Sequence, residues 1–595
     1  MKTSDRFGII YLAILLLVSS IIIGCSSDEE SPLPETIPAQ TGVMPDTPVP
    51  ALSLWKGGQI VQTLYGSVEG FEDESDTWVW KAVPYAKPPV GALRWKAPRD
   101  PDPWEGVRQS NDFCQMCPQF NWISGDEVWG SEDCLYLNIW RPQSEETNLP
   151  VYVYIHGGGN AIGCANQVPT YYGSTVARKS NMIFVSMNYR LGPFGWFAHP
   201  ALRSGEPGAE ADDSGNYGTL DIIKSLEWIQ KNIEAFGGDP DRVIITGESA
   251  GGSNVYSILA SPYAKGLFHT ALAQSCMNDT ATIEEGDATS HEIVLALLIN
   301  DGIATDRAGA EAYLNTMSDT EIETYIRAKT PLGILLCYEQ REFGEVVNPN
   351  IFEDGAVIIA DAFENGTYPN KVPIMLGSTK EELKMFLYMV DSFEGKDDLY
   401  QTATSYGSDL WKAVGVDNIA RQLSACPDQP EVYVYRFNWG AWKDDGTSPI
   451  PAPYDLKVGT AHSLDQAFFL GNPVFNVFMT SWVFNEENRP GREALTDDIM
   501  SYVAQFARTG NPNKSGGDLS KWVAWTNEAG EPKCILLDAN LDTVNIEMSP
   551  IELTVPGILE AMKSEVPEPL YSEAFEVLST YRITSGLMKD NFSSE

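Results

Sequence analysis

Positive charge is scarce in this chain: 40 Lys and Arg stand against 82 Asp and Glu, a formal net charge of −42. A nucleic-acid partner, which needs a basic footprint, is therefore excluded. The acids are scattered along the chain rather than blocked. That pattern reads as a solvated surface, although the same field can also draw cationic small molecules toward the protein. Histidine is scarcer still, with five residues in 595. Any histidine-dependent chemistry must choose among His156, His199, His269, His291 and His462. Cysteine is present nine times but in no zinc-type array, since Cys114-Gln115-Met116-Cys117 has no second pair to complete a tetrahedral site. No metal and no cofactor is expected. Internal repeats are missing too, and no second linker interrupts the chain after residue 54.

The N-terminus is of another kind. Lys2 and Arg6 precede an apolar run from Phe7 to Ile23 that gives way at once to polar chain. This is the pattern of an export signal rather than of a membrane span. The run ends in Ile22-Ile23-Gly24-Cys25, which resembles the lipobox of bacterial lipoproteins, and that resemblance implies acylation at Cys25. Residues 26–50 are rich in Ser, Pro and acids and poor in apolar side chains, as a tether is. The expected organisation is a signal peptide over 1–24, a flexible tether over 25–54 and one globular domain over 55–595. The expected location is the bacterial cell envelope, lipid-anchored at the outer membrane, with ordinary secretion as the alternative. Export makes disulfides the natural reading of the cysteines. The oligomeric state is not legible.

Within 55–595, short apolar strands alternate with helices. "PVYVYIHGGG" (150–159) and "MIFVSMNYR" (182–190) read as strands. In "TLDIIKSLEWIQKNIEAFGG", Ile222, Leu226, Ile229 and Ile233 share one helical face and Gly237-Gly238 supplies the stop. "DPDRVIITGESAGG" then predicts a turn, a short apolar strand and a second helix opening on small residues. The expected fold class is α/β, with a large, mostly parallel central sheet flanked by helices.

Gly247-Glu248-Ser249-Ala250-Gly251 fits the G-x-S-x-G nucleophile elbow, in which glycines let backbones pass closely while the serine hydroxyl stands exposed. A serine needs a base, and in this motif the chain order is Ser, acid, His. His291 and His462 follow at sufficient distance. His291 opens an amphipathic pattern and reads as a surface residue, whereas His462 lies in a small-residue loop before an aromatic run. His462 is the candidate base. His156-Gly157-Gly158-Gly159 at a strand end has the form of an oxyanion-binding loop.

With these motifs together, the sequence resembles the type-B carboxylesterase and cholinesterase family of α/β-hydrolases from about residue 60 to 580. The resemblance also rests on "PYAKPPVGALRW" (84–95), "SEDCLYLNIW" (131–140), "NYRLGPFGWF" (188–197) and "AFFLGNP". It implies the α/β-hydrolase fold with helical insertions around the pocket, notably within 280–350 and 385–450. It implies hydrolysis of carboxylic esters through an acyl-enzyme, with Ser249 as nucleophile and His462 as base and then acid. Gly158, Gly159 and Ala250 would be the oxyanion donors.

The family acid falls in "GSTKEELKMF", which implies Glu382, with Glu381 as the alternative. Here Glu381 stands for the usual Asp and Leu383 for the usual Gly. Glu248 and Ser275 match positions that support the triad. Cys134 matches a cysteine bonded upstream, which implies a Cys117–Cys134 disulfide in preference to Cys114, and Arg94 and Glu132 match a family ion pair. Departures at Asn160, where the family carries an apolar or aromatic residue, and at Cys276, where it carries Gly, fall near the expected acyl pocket. Some family members have lost the serine and serve in adhesion. The intact Ser249, Glu382 and His462 set this chain with the enzymes.

Overall fold

A computed structural model describes residues 54–586 apart from 122–126, 342–343, 389, 391–392, 444–445, 476–478, 582–583 and 585. The expected signal peptide, Cys25 and nearly all of the tether lie outside the described residues.

An 11-stranded sheet carries the fold. Its strands in chain order are β1 (Phe71–Glu72), β2 (Thr77–Pro84), β3 (Tyr136–Pro142), β4 (Leu149–Ile155), β5 (Ile183–Met187) and β6 (Gly238–Glu248). They continue with β7 (Thr270–Gln274), β8 (Ile374–Thr379), β9 (Val432–Phe437), β10 (Cys534–Ala539) and β11 (Val544–Ser549). The spatial order is β11-β10-β9-β8-β7-β6-β4-β5-β3-β2-β1. Strands β4 to β10 pair in parallel, and antiparallel pairs close both edges. This is the α/β-hydrolase architecture.

The central strands read as continuous apolar runs because both faces of the sheet are covered. On β4, Val151, Val153 and Ile155 enter one core while Tyr152 and Tyr154 enter the other. Helix α1 (Tyr217–Asn232) supplies Ile222, Leu226 and Ile229 to the first core, and α2 (Ala250–Leu259) supplies Val255 and Ile258. Two further helices, α3 (Ile283–Asn300) and α4 (Asp397–Lys412), belong to the insertions. The second core is covered by α5 (Arg489–Thr509) through Leu495, Ile499, Val503 and Phe506.

Gly237 ends the α1 segment at φ 81°, a left-handed position that glycine adopts without steric cost. Beyond it the structure departs from expectation. The Asp239-Pro240-Asp241-Arg242 segment is not a separate turn but part of β6, which pairs Gly238 with Leu149 and then Val243 with Val151. The extra residues on β6 are absorbed as an irregularity in the β4 pairing, so a turn-like composition sits inside a strand.

A buried ion pair ties the segment after β5 to α1. Arg190 donates to both carboxylate oxygens of Asp221 at 2.7 Å, and the Arg190 amide adds a bond of 3.1 Å. The side chains are 3% and 0% exposed. Arg190→Met should therefore lower the unfolding free energy by about 3–5 kcal/mol, because Asp221 is left buried without its partner. A urea midpoint equal to wild type would contradict this, and adding Asp221→Leu should recover much of the loss.

Candidate active site

The site grows out of the junction between β6 and α2. Ser249 stands between them at φ 57° and ψ −128°, a strained conformation for a residue with a side chain. The glycines two positions to either side make the turn possible by having no side chains. A methyl group on Gly247 would come 2.2 Å from the Gly251 carbonyl oxygen, and one on Gly251 would come 2.1 Å from that of Ile155. Ser249 is held in the sheet through its amide, which donates to the Gln274 carbonyl at the end of β7 (2.9 Å).

His462 arrives on a loop after β9 and is 5% exposed. Its Nδ1 lies 2.5 Å from Glu382 Oε2, while Glu382 Oε1 accepts from the Thr379 amide at 2.6 Å. The neighbouring Glu381 faces elsewhere. It pairs with the buried Lys384 at 2.8 Å and accepts from the Thr460 amide at 2.9 Å, which fastens the loop that carries His462. Of the two carboxylates, Glu382 is thus the one in contact with the imidazole. Leu383, where the resemblance expects glycine, is fully buried against α4, and Gly407 makes the room: a methyl group there would meet Leu383 at 2.2 Å.

On the far side of the imidazole, Nε2 lies 3.1 Å from Glu248 Oε1, which also accepts from the Ser463 hydroxyl at 2.6 Å. Among the described residues no hydrogen bond joins Ser249 Oγ to His462. The rings of Phe386 and Trp411 flank the imidazole, with centroids at 5.0 and 5.3 Å. Ser249, His462, Gly158, Gly159, Ala250 and Ser275 all line one cavity of about 1550 Å³. Gly158 and Gly159 sit at φ 110° and 61°, and among the described residues neither their amides nor that of Ala250 has a hydrogen-bond partner. Ser275 Oγ is buried and unpartnered within the same set. His291 is outside the site, on α3 facing Glu311 at 3.1 Å.

Residues 57–407 and 390–548 match the Carboxylesterase family. The chain belongs to that family. It is 32% identical over 523 residues to para-nitrobenzyl esterase of Bacillus subtilis (strain 168), covering 82% of this chain and 96% of that protein. It is 30% identical over 514 residues to liver carboxylesterase of Sus scrofa, covering 78% and 86%. A solved PNB esterase superposes with a TM-score of 0.62 at 28% identity, over 83% of this chain and 98% of that one. A Geobacillus stearothermophilus carboxylesterase gives 0.61 at 29%, over 83% and 98%. The protein is a serine hydrolase acting on carboxylic esters.

One feature of this carboxylesterase site was not visible in sequence. Asp465 is fully buried, accepts from the Tyr435 hydroxyl at 2.7 Å and is pushed up to about 7 by burial and by the nearby Glu248 charge. It lies three residues beyond His462, so proximity in the chain was the available signal. Cys276 is buried beside α2, and burial pushes its thiol up. Asn160 accepts from Asn254 at 2.8 Å and donates to Asn350 at 3.0 Å, which joins the glycine loop to α2 and to an insertion. Cys117 is joined to Cys134, and Arg94 grips Glu132 through two bonds of 2.6 and 2.5 Å in the same region.

Burial alone would lower the His462 pKa, but the carboxylates of Glu248 and Glu382 outweigh it and hold the imidazole up to about 9. The sign follows directly: each carboxylate favours the protonated ring, so removing one must lower its midpoint. With only five histidines, 13C labelling at the ring carbons gives a countable spectrum. One signal should titrate near 9, and Glu248→Gln should move that midpoint down by at least one unit, or about 1.4 kcal/mol. A His462 midpoint at the ordinary imidazole value in both proteins would refute this electrostatic account.

Proposed function

We propose that Ser249, His462 and Glu382 form the catalytic triad of this ester hydrolase, with Gly158, Gly159 and Ala250 as oxyanion donors. The observation that carries this reading is the placement of one imidazole between Glu382 and the strained G-x-S-x-G turn. In the acylation step Ser249 Oγ attacks the ester carbonyl carbon and its proton passes to His462 Nε2. The carbonyl oxygen becomes an oxyanion facing unpaired backbone amides, whose fixed dipoles need no reorganisation during the reaction. The His462 proton then goes to the departing alkoxide. Water repeats the sequence on the acyl-enzyme and releases the acid. Glu382 holds Nδ1–H, so that once the ring has lost its other proton Nε2 is the acceptor, and both Glu382 and Glu248 stabilise the imidazolium that forms when the serine proton arrives. No step requires a metal or a cofactor.

The leaving alcohol must lie against His462 to take its proton, which places it beside Phe386 and Trp411. An apolar or aromatic alcohol fits that seat. The similarity to a protein named para-nitrobenzyl esterase supports the same reading. Ser249→Ala should leave a folded protein whose turnover of p-nitrophenyl and benzyl esters falls by on the order of 10⁴-fold or more. Retention of near-normal turnover would sink the mechanism. Glu382→Gln should lose most of the activity as well, and a larger loss in Glu381→Gln would reassign the acid.

The N-terminal segment carries a separate part of the proposal, supported by its sequence pattern alone: export and acylation at Cys25, leaving the hydrolase tethered to the cell envelope. One acyl chain binds a membrane only marginally, whereas several hold firmly. The wild-type protein should then sediment with membranes, with Cys25 as its modified N-terminus, while Cys25→Ser should not be processed there. A soluble wild type with an unmodified N-terminus at another residue would decide for ordinary secretion.

A further inference from the structure

The three-glycine loop has wide conformational freedom on its own, yet an oxyanion hole requires its amides at fixed positions. The clamp on that loop comes from a distant stretch of chain. Gln119 is 2% exposed and sits two residues after Cys117 of the disulfide. Its Oε1 accepts from the Gly163 amide at 2.8 Å, and its Nε2 donates to the Gly163 carbonyl at 2.8 Å and to the Cys117 carbonyl at 3.1 Å. One carboxamide therefore satisfies both backbone groups of Gly163.

Gly163 is in turn packed under the first turn of the loop. At φ 108°, a methyl group on it would come 2.7 Å from the Gly157 carbonyl oxygen and 2.8 Å from His156 Nδ1. The amides of Ala161 and Ile162 both donate to the Gly158 carbonyl at 3.0 Å, so the loop curls from 158 to 162 and delivers the chain to Gly163. Asn188 adds a parallel staple, accepting from the Ala165 amide at 2.8 Å and donating to the Gln115 carbonyl at 3.2 Å. The returning limb of the loop is thus bonded to the disulfide-anchored segment 115–119.

We propose that Gln119 is a positioning residue for the oxyanion amides: through Gly163 it sets where Gly158 and Gly159 stand, and the Cys117–Cys134 disulfide holds Gln119 in place. This rests on the reading of Gly158 and Gly159 as oxyanion donors. Gln119 touches no substrate, and its effect is confined to the step in which the carbonyl oxygen gains charge.

Gln119→Met keeps length and removes all three bonds. With rates expressed per Ser249 titrated by a phosphonate, kcat for a neutral benzyl ester should fall about ten- to a hundred-fold with KM little changed, as for a small misplacement of catalytic groups. Affinity for a trifluoromethyl ketone, whose hemiketal oxygen occupies the oxyanion site, should fall by the same factor as kcat/KM. Should the Met variant fail to accumulate, Cys117→Ser combined with Cys134→Ser frees the segment and must show the same signature. A variant with normal kcat per titrated site and normal ketone affinity overturns the proposal, even if it melts at a lower temperature. If the wild-type protein binds the ketone no more tightly than an ester, the oxyanion reading itself fails and takes the proposal with it.

Discussion

One backbone constraint organises this molecule: a serine must occupy a left-handed turn between a buried parallel strand and a helix that starts at once. That geometry brings the first turn of α2 into contact with the end of β4, where the Ile155 carbonyl lies 2.1 Å from any methyl group placed on Gly251. The small residues after Ser249, the absence of a side chain at Gly247 and the parallel order β4-β6-β7 all serve the same close approach. A wider turn would lower the hydroxyl into the sheet, where no base could reach it.

Electrostatics forms the second layer. Glu248, Glu382 and Asp465 are all buried around one imidazole, an arrangement that costs desolvation for each carboxylate and is tolerable because each is satisfied from another direction. Thr379 serves Glu382, Ser463 serves Glu248 and Tyr435 serves Asp465. The imidazole sits in a negative cage walled by aromatic rings, which favours the cationic form it takes during each half of the reaction.

How much of this was legible in sequence depends on the range of the contacts involved. The nucleophile turn is local, so five consecutive residues and the elements on either side of them announced it. The base was legible by scarcity, because few histidines follow Ser249. Between the adjacent Glu381 and Glu382 the residues alone do not choose: the family resemblance pointed to Glu382, and the path of the chain after β8 puts that carboxylate against His462. The turn expected at residues 239–242 became an irregular stretch within β6, bracketed by Gly238 and Val243, which pair with Leu149 and Val151 of β4. Gln119 was invisible for another reason: its two bonds to Gly163 span 44 residues and involve only backbone groups on the far side. A side chain that recognises backbone leaves no matching side chain in the sequence to give it away.

The packing of Cys276 against α2 couples two positions sterically. A methyl group at Gly252 would meet Cys276 Cβ at 2.7 Å and Sγ at 2.8 Å, with the Gln274 carbonyl oxygen at 3.0 Å as the remaining tight neighbour. While Cys276 is in place, position 252 is closed to every larger residue. Were Cys276 replaced by glycine, the two closest of these contacts would be gone. The two positions are therefore coupled, and a larger side chain at 252 is incompatible with the one at 276. Bulk at both would press α2, and with it the nucleophile at its head, away from the sheet.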